Sequence, residues 1–173
     1  MSNDRELIPL NIAVLTVSDS RGEADDKSGA LLIARLTEAG HSLAERRIVK
    51  DDIYAIRAQI SHWIADPGVN VVLSTGGTGV TGRDGTPEAV SPLLDKQIDG
   101  FGELFRMLSY EGIKTSTIQS RALAGVANAT YVFCMPGSTG ACRDAWDQII
   151  SAQLDYRTRP CNLVELMPRL LEK

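Results

Sequence analysis

The sequence is short of histidine and cysteine, two of the side chains that serve as nucleophiles and metal ligands. Histidine occurs twice, at His41 and His62, with no spacing that ties either one to the other or to a cluster of acids. Neither a Ser-His-Asp triad nor a zinc site can be assembled from such a set. The three cysteines, Cys134, Cys142 and Cys161, form no CxxC pair and are odd in number, which points to free thiols in a reducing compartment. Apolar runs end after a handful of residues, far below the ~20 that a membrane-spanning helix needs. The opening MSNDRELIPL lacks the basic and then apolar pattern of a secretory leader. Positive charge is not in surplus either. A formal net charge of −4 gives no global attraction to nucleic acid or anionic lipid. A cytoplasmic chain is expected, and any phosphate it binds must be held locally, by backbone donors, a few cations or a metal.

What is present is the composition of one globular domain. Its 173 residues are 43% apolar and 23% charged, which suits a single domain over residues 1–173. Three runs, Ile12–Val17, Val69–Ser74 and Tyr131–Met135, are continuously rather than alternately apolar, as central strands of a mostly parallel sheet are. Ser42–Val49 is more polar and suits a strand nearer the edge. Helical patterns lie between them. One is capped by Ser28 and stopped by Gly40. A second is capped by Asp51 or Asp52 and carries Ile53, Ile56, Ile60 and Trp63 on one face. Thr86-Pro87-Glu88 reads as a capping hydroxyl, a first-turn proline and an acid. Phe101, Leu104, Phe105 and Leu108 mark another apolar face, and a further helix starts near Gly140. Alternating strands and helices imply a three-layer α/β/α sandwich. The tail, residues 158–173, carries an amphipathic Leu163/Leu166/Leu170 pattern that either packs on its own domain or meets another subunit.

In an open α/β sheet, ligands sit beyond the carboxyl ends of the strands. Three glycine- and hydroxyl-rich segments fall there: Ser18–Gly29, Ser74–Asp84 and Met135–Gly140. Each leads toward a helix start and offers backbone N–H groups to an anion. Gly77–Gly82 matches GxGxxG, but it follows the third strand and no acid waits about twenty residues on, so it is not a dinucleotide fingerprint. Arg83-Asp84 stands where a Walker A loop needs Lys-Ser/Thr. Asp84 could hold Mg²⁺ beside bound phosphates, with Asp51 as a second carboxylate on the same sheet edge, although Asp51 read alone is a plain helix cap. Arg83 could neutralise phosphate charge or stay a solvated surface cation.

TGGTGVTGRDGTPEA (Thr75–Ala89) taken with MPGS (Met135–Ser138) resembles the MoaB/MogA family of molybdenum cofactor biosynthesis. The resemblance extends through LTVSDSRGEADDKSG, IVKDDIYAIR, FRMLSYEGI and QSRALAG to nearly the whole chain, and it looks closest to the MoaB branch. It implies a MogA-like, molybdopterin-binding fold. It also implies an activity: adenylylation of the terminal phosphate of molybdopterin by Mg-ATP, giving molybdopterin-AMP and pyrophosphate. By resemblance, Asp51 and Asp84 are the catalytic, Mg²⁺-associated aspartates, and Ser120 contacts the molybdopterin-side product. Thr75, Gly76, Gly77, Thr78 and Gly79 would hold phosphate. Ser18, Asp26, Ser28 and Gly29 would line the pterin side, with Pro136, Gly137 and Ser138 across the cleft. A homotrimer or homohexamer is implied, with other molybdenum cofactor biosynthesis proteins as partners. Some members of the MoaB branch are silent, with an altered RDxTPE segment. This chain keeps Arg83-Asp84, Thr86-Pro87-Glu88 and Asp51, so activity is expected; the alternative is a non-catalytic molybdopterin carrier or scaffold.

Overall fold

The three apolar runs lie side by side at the centre of a six-stranded sheet in the computed structural model, which describes residues 4–173. Residues 1–3 of the opening segment lie outside the described residues. The strands are β1 Asn11–Val17, β2 Ser42–Val49, β3 Val71–Thr75, β4 Lys96–Gln97, β5 Leu123–Ala127 and β6 Thr130–Met135, in the order β2-β1-β3-β6-β5-β4. The first four strands of that order run parallel. β5 turns back against β6, and β4 pairs antiparallel with β5. The polar Ser42–Val49 strand does sit at an edge, where every residue is exposed or partly exposed.

Helices cover both faces: α1 Lys27–Glu38, α2 Ile53–Ala65, α3 Thr86–Val90, α4 Asp99–Ile113 and α5 Thr139–Ala145, the last continuing through a π-helical turn at Trp146–Ile150. Strand alternation sorts the core into two layers. Ile12, Val14, Val71, Leu73, Phe133 and Met135 face α1, α4 and α5, meeting Leu32, Leu36, Phe101, Phe105 and Ala145. Ala13, Leu15, Val17 and Val72 face α2 and α3, meeting Ile56, Ile60, Trp63, Ala89 and Val90. Fully burying one such side chain stabilises the fold by about 1.5–3 kcal/mol, so the two layers carry most of the driving force.

Several local expectations are corrected. Asp26, not Ser28, caps α1: its carboxylate accepts the Gly29 N–H at 2.9 Å, while the Ser28 hydroxyl donates to the Gly137 carbonyl at 2.7 Å. Asp52, not Asp51, caps α2. Gly85 occupies the cap position of α3, because the Thr86 hydroxyl is spent on the Gly76 carbonyl at 2.9 Å. Leu104 turns outward from the face that buries Phe101 and Phe105. In the tail, the short helix Leu163–Leu166 has a capping box between Asn162 and Glu165. Val164 is buried, Leu163 and Leu170 pack on the core, and the Tyr131 hydroxyl donates to the Leu163 carbonyl at 2.8 Å. The tail thus packs on its own domain, with Leu166 left 46% exposed.

Candidate active site

The glycine loop after β3 takes its shape from how closely it crosses its neighbours. Gly76 and Gly77 have φ of +103° and +70°. A Cβ on Gly76 would stand 2.3 Å from the Val17 carbonyl oxygen, and one on Gly77 would stand 2.4 Å from Thr86 Oγ1. Only glycine fits such positions without strain. The loop's carbonyls are tied down. Thr86 N–H donates to the Gly77 carbonyl at 3.0 Å, and Arg121 N–H donates to the Thr78 carbonyl at 2.9 Å. The Arg121 guanidinium donates to the carbonyls of Gly79 at 2.7 Å and Asp84 at 3.1 Å, and it is itself clasped by the Glu88 carboxylate. The N–H groups of Gly77 and Thr78 donate to no group among the described residues. Two adjacent free N–H groups beside a left-handed glycine form an anion-binding concavity.

This loop forms one wall of a cleft of about 630 Å³ at the carboxyl edge of the sheet. Of the residues expected there, Ser18, Gly76, Gly77, Thr78, Gly79, Asp84, Ser120, Pro136, Gly137 and Ser138 line it. Ser120 reaches it because β5 is antiparallel, so the start of that strand lies beside the end of β6. A second groove of about 400 Å³ adjoins the cleft, bounded by Asp51, Asp52, Tyr54, Arg83 and Glu88, and Asp84 lines both.

Four expected lining residues lie beneath the surface instead. Thr75 is buried and donates to the Pro136 carbonyl at 2.8 Å. Asp26 is buried between Thr16 Oγ1 at 2.7 Å and Arg46 Nη2 at 3.0 Å, joining β1, β2 and α1. Ser28 and Gly29 are buried with it. In the structure they form a supporting layer: Asp26 ties the first loop to β1 and β2, and Ser28 holds Gly137 from behind.

Asp51 and Asp84 face the second groove in contrasting states. Burial pushes the Asp51 carboxyl above its ordinary value, the Gly85 N–H opposes this, and the nearby charges of Asp84 and Asp19 add to it. At Asp84 burial also pushes upward, but hydrogen bonds from the Thr81 hydroxyl, the Thr81 and Gly79 N–H groups, and the Arg121 charge outweigh it and hold the group low. Asp51 Oδ1 accepts from Gly85 N–H at 3.4 Å, and its other oxygen has no hydrogen-bond partner among the described residues. Among the described residues no group of three or more His, Cys, Asp or Glu side chains gathers into a metal cage. Two neighbouring hard carboxylates beside an anion-binding loop, one of them with an oxygen free of hydrogen bonds, nonetheless fit Mg²⁺. That ion is held by one or two carboxylates together with substrate phosphates rather than by an all-protein cage.

The structure adds residues that spacing did not reveal. Asp19 accepts from the Asp51 N–H at 3.1 Å and from Arg83, so it links three loops. Arg21 reaches the Gly137 carbonyl at 3.1 Å on the cleft wall. Ser109, Gly112 and Ile113 of α4 face Gly140, Ala141 and Asp144 of α5 across the far end.

Residues 13–156 match a model described as a probable molybdopterin binding domain. Molybdenum cofactor biosynthesis protein B of Escherichia coli is 62% identical over 157 residues, covering 91% of this chain and 92% of that protein. A crystal structure of a molybdenum cofactor biosynthesis protein B superposes with a TM-score of 0.84 at 47% identity, covering 87% of this chain and 94% of the other. The tungsten cofactor synthesizing protein MoaB of Pyrococcus furiosus gives 0.72 at 38% identity, covering 83% and 91%. The chain belongs to the MoaB/MogA family. The family match takes in every residue of the cleft, from Val17 to Asp144, and leaves the tail after residue 156 outside it. Membership fixes the pathway, molybdenum cofactor biosynthesis, and the mostly parallel sandwich. Among the described residues no helix is long and apolar enough to cross a membrane.

Proposed function

We propose that the chain binds molybdopterin in the large cleft and adenylylates its terminal phosphate with Mg-ATP bound in the adjoining groove. The observation that carries this reading is Asp84: it lines both cavities and stands beside a second carboxylate, Asp51, and a loop with free N–H donors. Two substrates that react phosphate to phosphate need such a shared boundary.

A phosphate monoester has a second pKa near ~6, so the attacking group is already anionic near neutral pH and a general base is not required. The scarcity of histidine fits this chemistry. The terminal phosphate oxygen of molybdopterin attacks the α-phosphorus of ATP, forming a new P–O bond. The bond from that phosphorus to the oxygen bridging the α- and β-phosphates breaks, and pyrophosphate leaves with the electron pair. The Gly77 and Thr78 N–H groups hold phosphate oxygens, Ser120 orients the molybdopterin phosphate, and Arg83 offers charge to the triphosphate. Positioning and charge neutralisation are the main catalytic resources of such transfers. Held by Asp51 and Asp84, Mg²⁺ would supply further neutralisation of the triphosphate. Gly76 to Gly79, Ser18, and Pro136 to Ser138 form the walls.

The same reading has the chain working in the cytoplasm as a homotrimer or homohexamer alongside other molybdenum cofactor biosynthesis proteins. The exposed apolar side chains of Met107, Tyr110 and Ile118 offer surface for such assembly. The test is direct: incubation with molybdopterin, ATP and Mg²⁺, and mass spectrometry of the pterin. Molybdopterin-AMP supports the enzyme; pterin that binds but is recovered unmodified supports a carrier instead.

A further inference from the structure

The far end of the cleft is a slot lined by two helices, α4 and α5. On α4 the lining residues Ser109, Gly112 and Ile113 fall at helical spacing on one face; on α5, Gly140, Ala141 and Asp144 do the same. Three of the six are glycine or alanine. A Cβ on Gly112 would meet nothing within 4 Å, so the space there is open. Small residues on both walls leave room there for a planar heterocycle. Asp144 stands on the slot wall, half-buried, and its carboxylate has no hydrogen bond or ion pair among the described residues. The other carboxylate that lines the cleft, Asp84, is already engaged by Thr81. Asp144 lies six residues beyond Ser138, which at ~1.5 Å per helical residue places it about 9 Å along α5 from the Ser138 wall of the cleft.

We infer that Asp144 is the specificity residue for the pterin ring, accepting the two parallel N–H donors of its 2-amino-4-oxopyrimidine edge. This rests on the reading that the cleft binds molybdopterin. The edge presents an exocyclic N–H and a ring N–H side by side, the spacing that the two oxygens of one carboxylate match. The ring then lies flat between Gly112 and Ala141, with its phosphorylated side chain pointing to the glycine loop. A carboxylate here rejects rings that present a carbonyl oxygen at the same edge, because two acceptors would face each other without a proton between them.

The test uses the full-length protein and two fluorescent probes. One is a pterin with a phosphorylated hydroxymethyl side chain; the other is its lumazine counterpart, in which oxygen replaces the exocyclic amine. The wild type binds the pterin more tightly than the lumazine. Asp144→Asn loses about tenfold to a hundredfold in pterin affinity, the scale of a charged hydrogen-bond pair, and loses the preference between the rings. Pyrophosphate binding at the glycine loop is unchanged in that variant. Gly112→Leu, which fills the open slot without meeting the fold, weakens both probes together. Unchanged pterin affinity in Asp144→Asn, with the pterin still bound by the wild type, overturns this inference and leaves the proposed function standing. Failure of the wild type to bind the pterin at all overturns both.

Discussion

Arg83, which lines the second groove, and Asp19 clasp one another, with Arg83 Nη2 at 2.6 Å and Nε at 3.0 Å from Asp19 Oδ2. The other Asp19 oxygen takes the Asp51 N–H at 3.1 Å. One exposed carboxylate therefore holds both the Arg83 guanidinium and the backbone of Asp51. The pair holds the Asp19 carboxyl below its ordinary value, through the Arg83 hydrogen bond first and the Asp51 N–H second.

The first prediction concerns that clasp. Exposed ion pairs add little to stability, so Asp19→Ala should leave the melting temperature nearly unchanged. It frees Arg83 and loosens the Asp51 loop, so the KM for ATP should rise several-fold while the KM for molybdopterin stays put. Steady-state kinetics with each substrate varied in turn, alongside a thermal melt, separates these effects.

A second prediction concerns the glycine loop itself. Gly76→Ala forces a methyl group against the Val17 carbonyl at a φ that disfavours any side chain. A cost of about 3 kcal/mol in urea denaturation is expected. Gly82→Ala, in the same loop but with nothing within 4 Å of the added carbon, should cost far less.

A third concerns pH. His41 is buried at 5% exposure, and its Nδ1 accepts the Leu10 N–H at 3.1 Å, a bond that protonation would break. Burial lowers its pKa below the ordinary 6.5, although the Asp155 charge works the other way. The unfolded chain therefore takes up a proton at a higher pH than the native one does. Stability is full above about pH 6.5 and falls as pH drops from there toward the lowered native value. Denaturant midpoints between pH 7 and 5, compared for wild type and His41→Gln, should show a shallower slope for the variant.

The sequence made the central strands and the glycine loop legible because both rest on local signals: unbroken apolar runs, and glycines placed where the chain must turn sharply. What escaped is instructive. Leu123–Ala127 is a five-residue strand with a glycine in its middle flanked by alanine, so it carries little of the bulky, branched signal of a strand. The hairpin joining it to β6 turns through Asn128 and Ala129 at φ of +48° and +64°, without the glycine that usually marks such a turn. β4 spans only two residues. Ser28 reads as the cap of the first helix, but its hydroxyl is taken by Gly137, over a hundred residues away in the chain, and Asp26 caps instead. Arg121 and Asp19 lie next to recognisable motifs, yet their work is to grip backbone groups on other loops, which no spacing encodes. Asp144 became visible only when α4 and α5 were seen to face each other.

The central claim is that Asp51 and Asp84 make the boundary between the two cavities a site of adenylyl transfer. The most direct measurement follows ATP labelled at the α-phosphate, with Mg²⁺ and molybdopterin, in wild type, Asp51→Asn and Asp84→Asn. The account predicts label on molybdopterin and release of unlabelled pyrophosphate with the wild type. It predicts a loss of about a hundredfold or more in rate in each variant, with pterin binding retained. Label transfer that survives both substitutions, or a wild type that binds molybdopterin and ATP without transferring label, would contradict it.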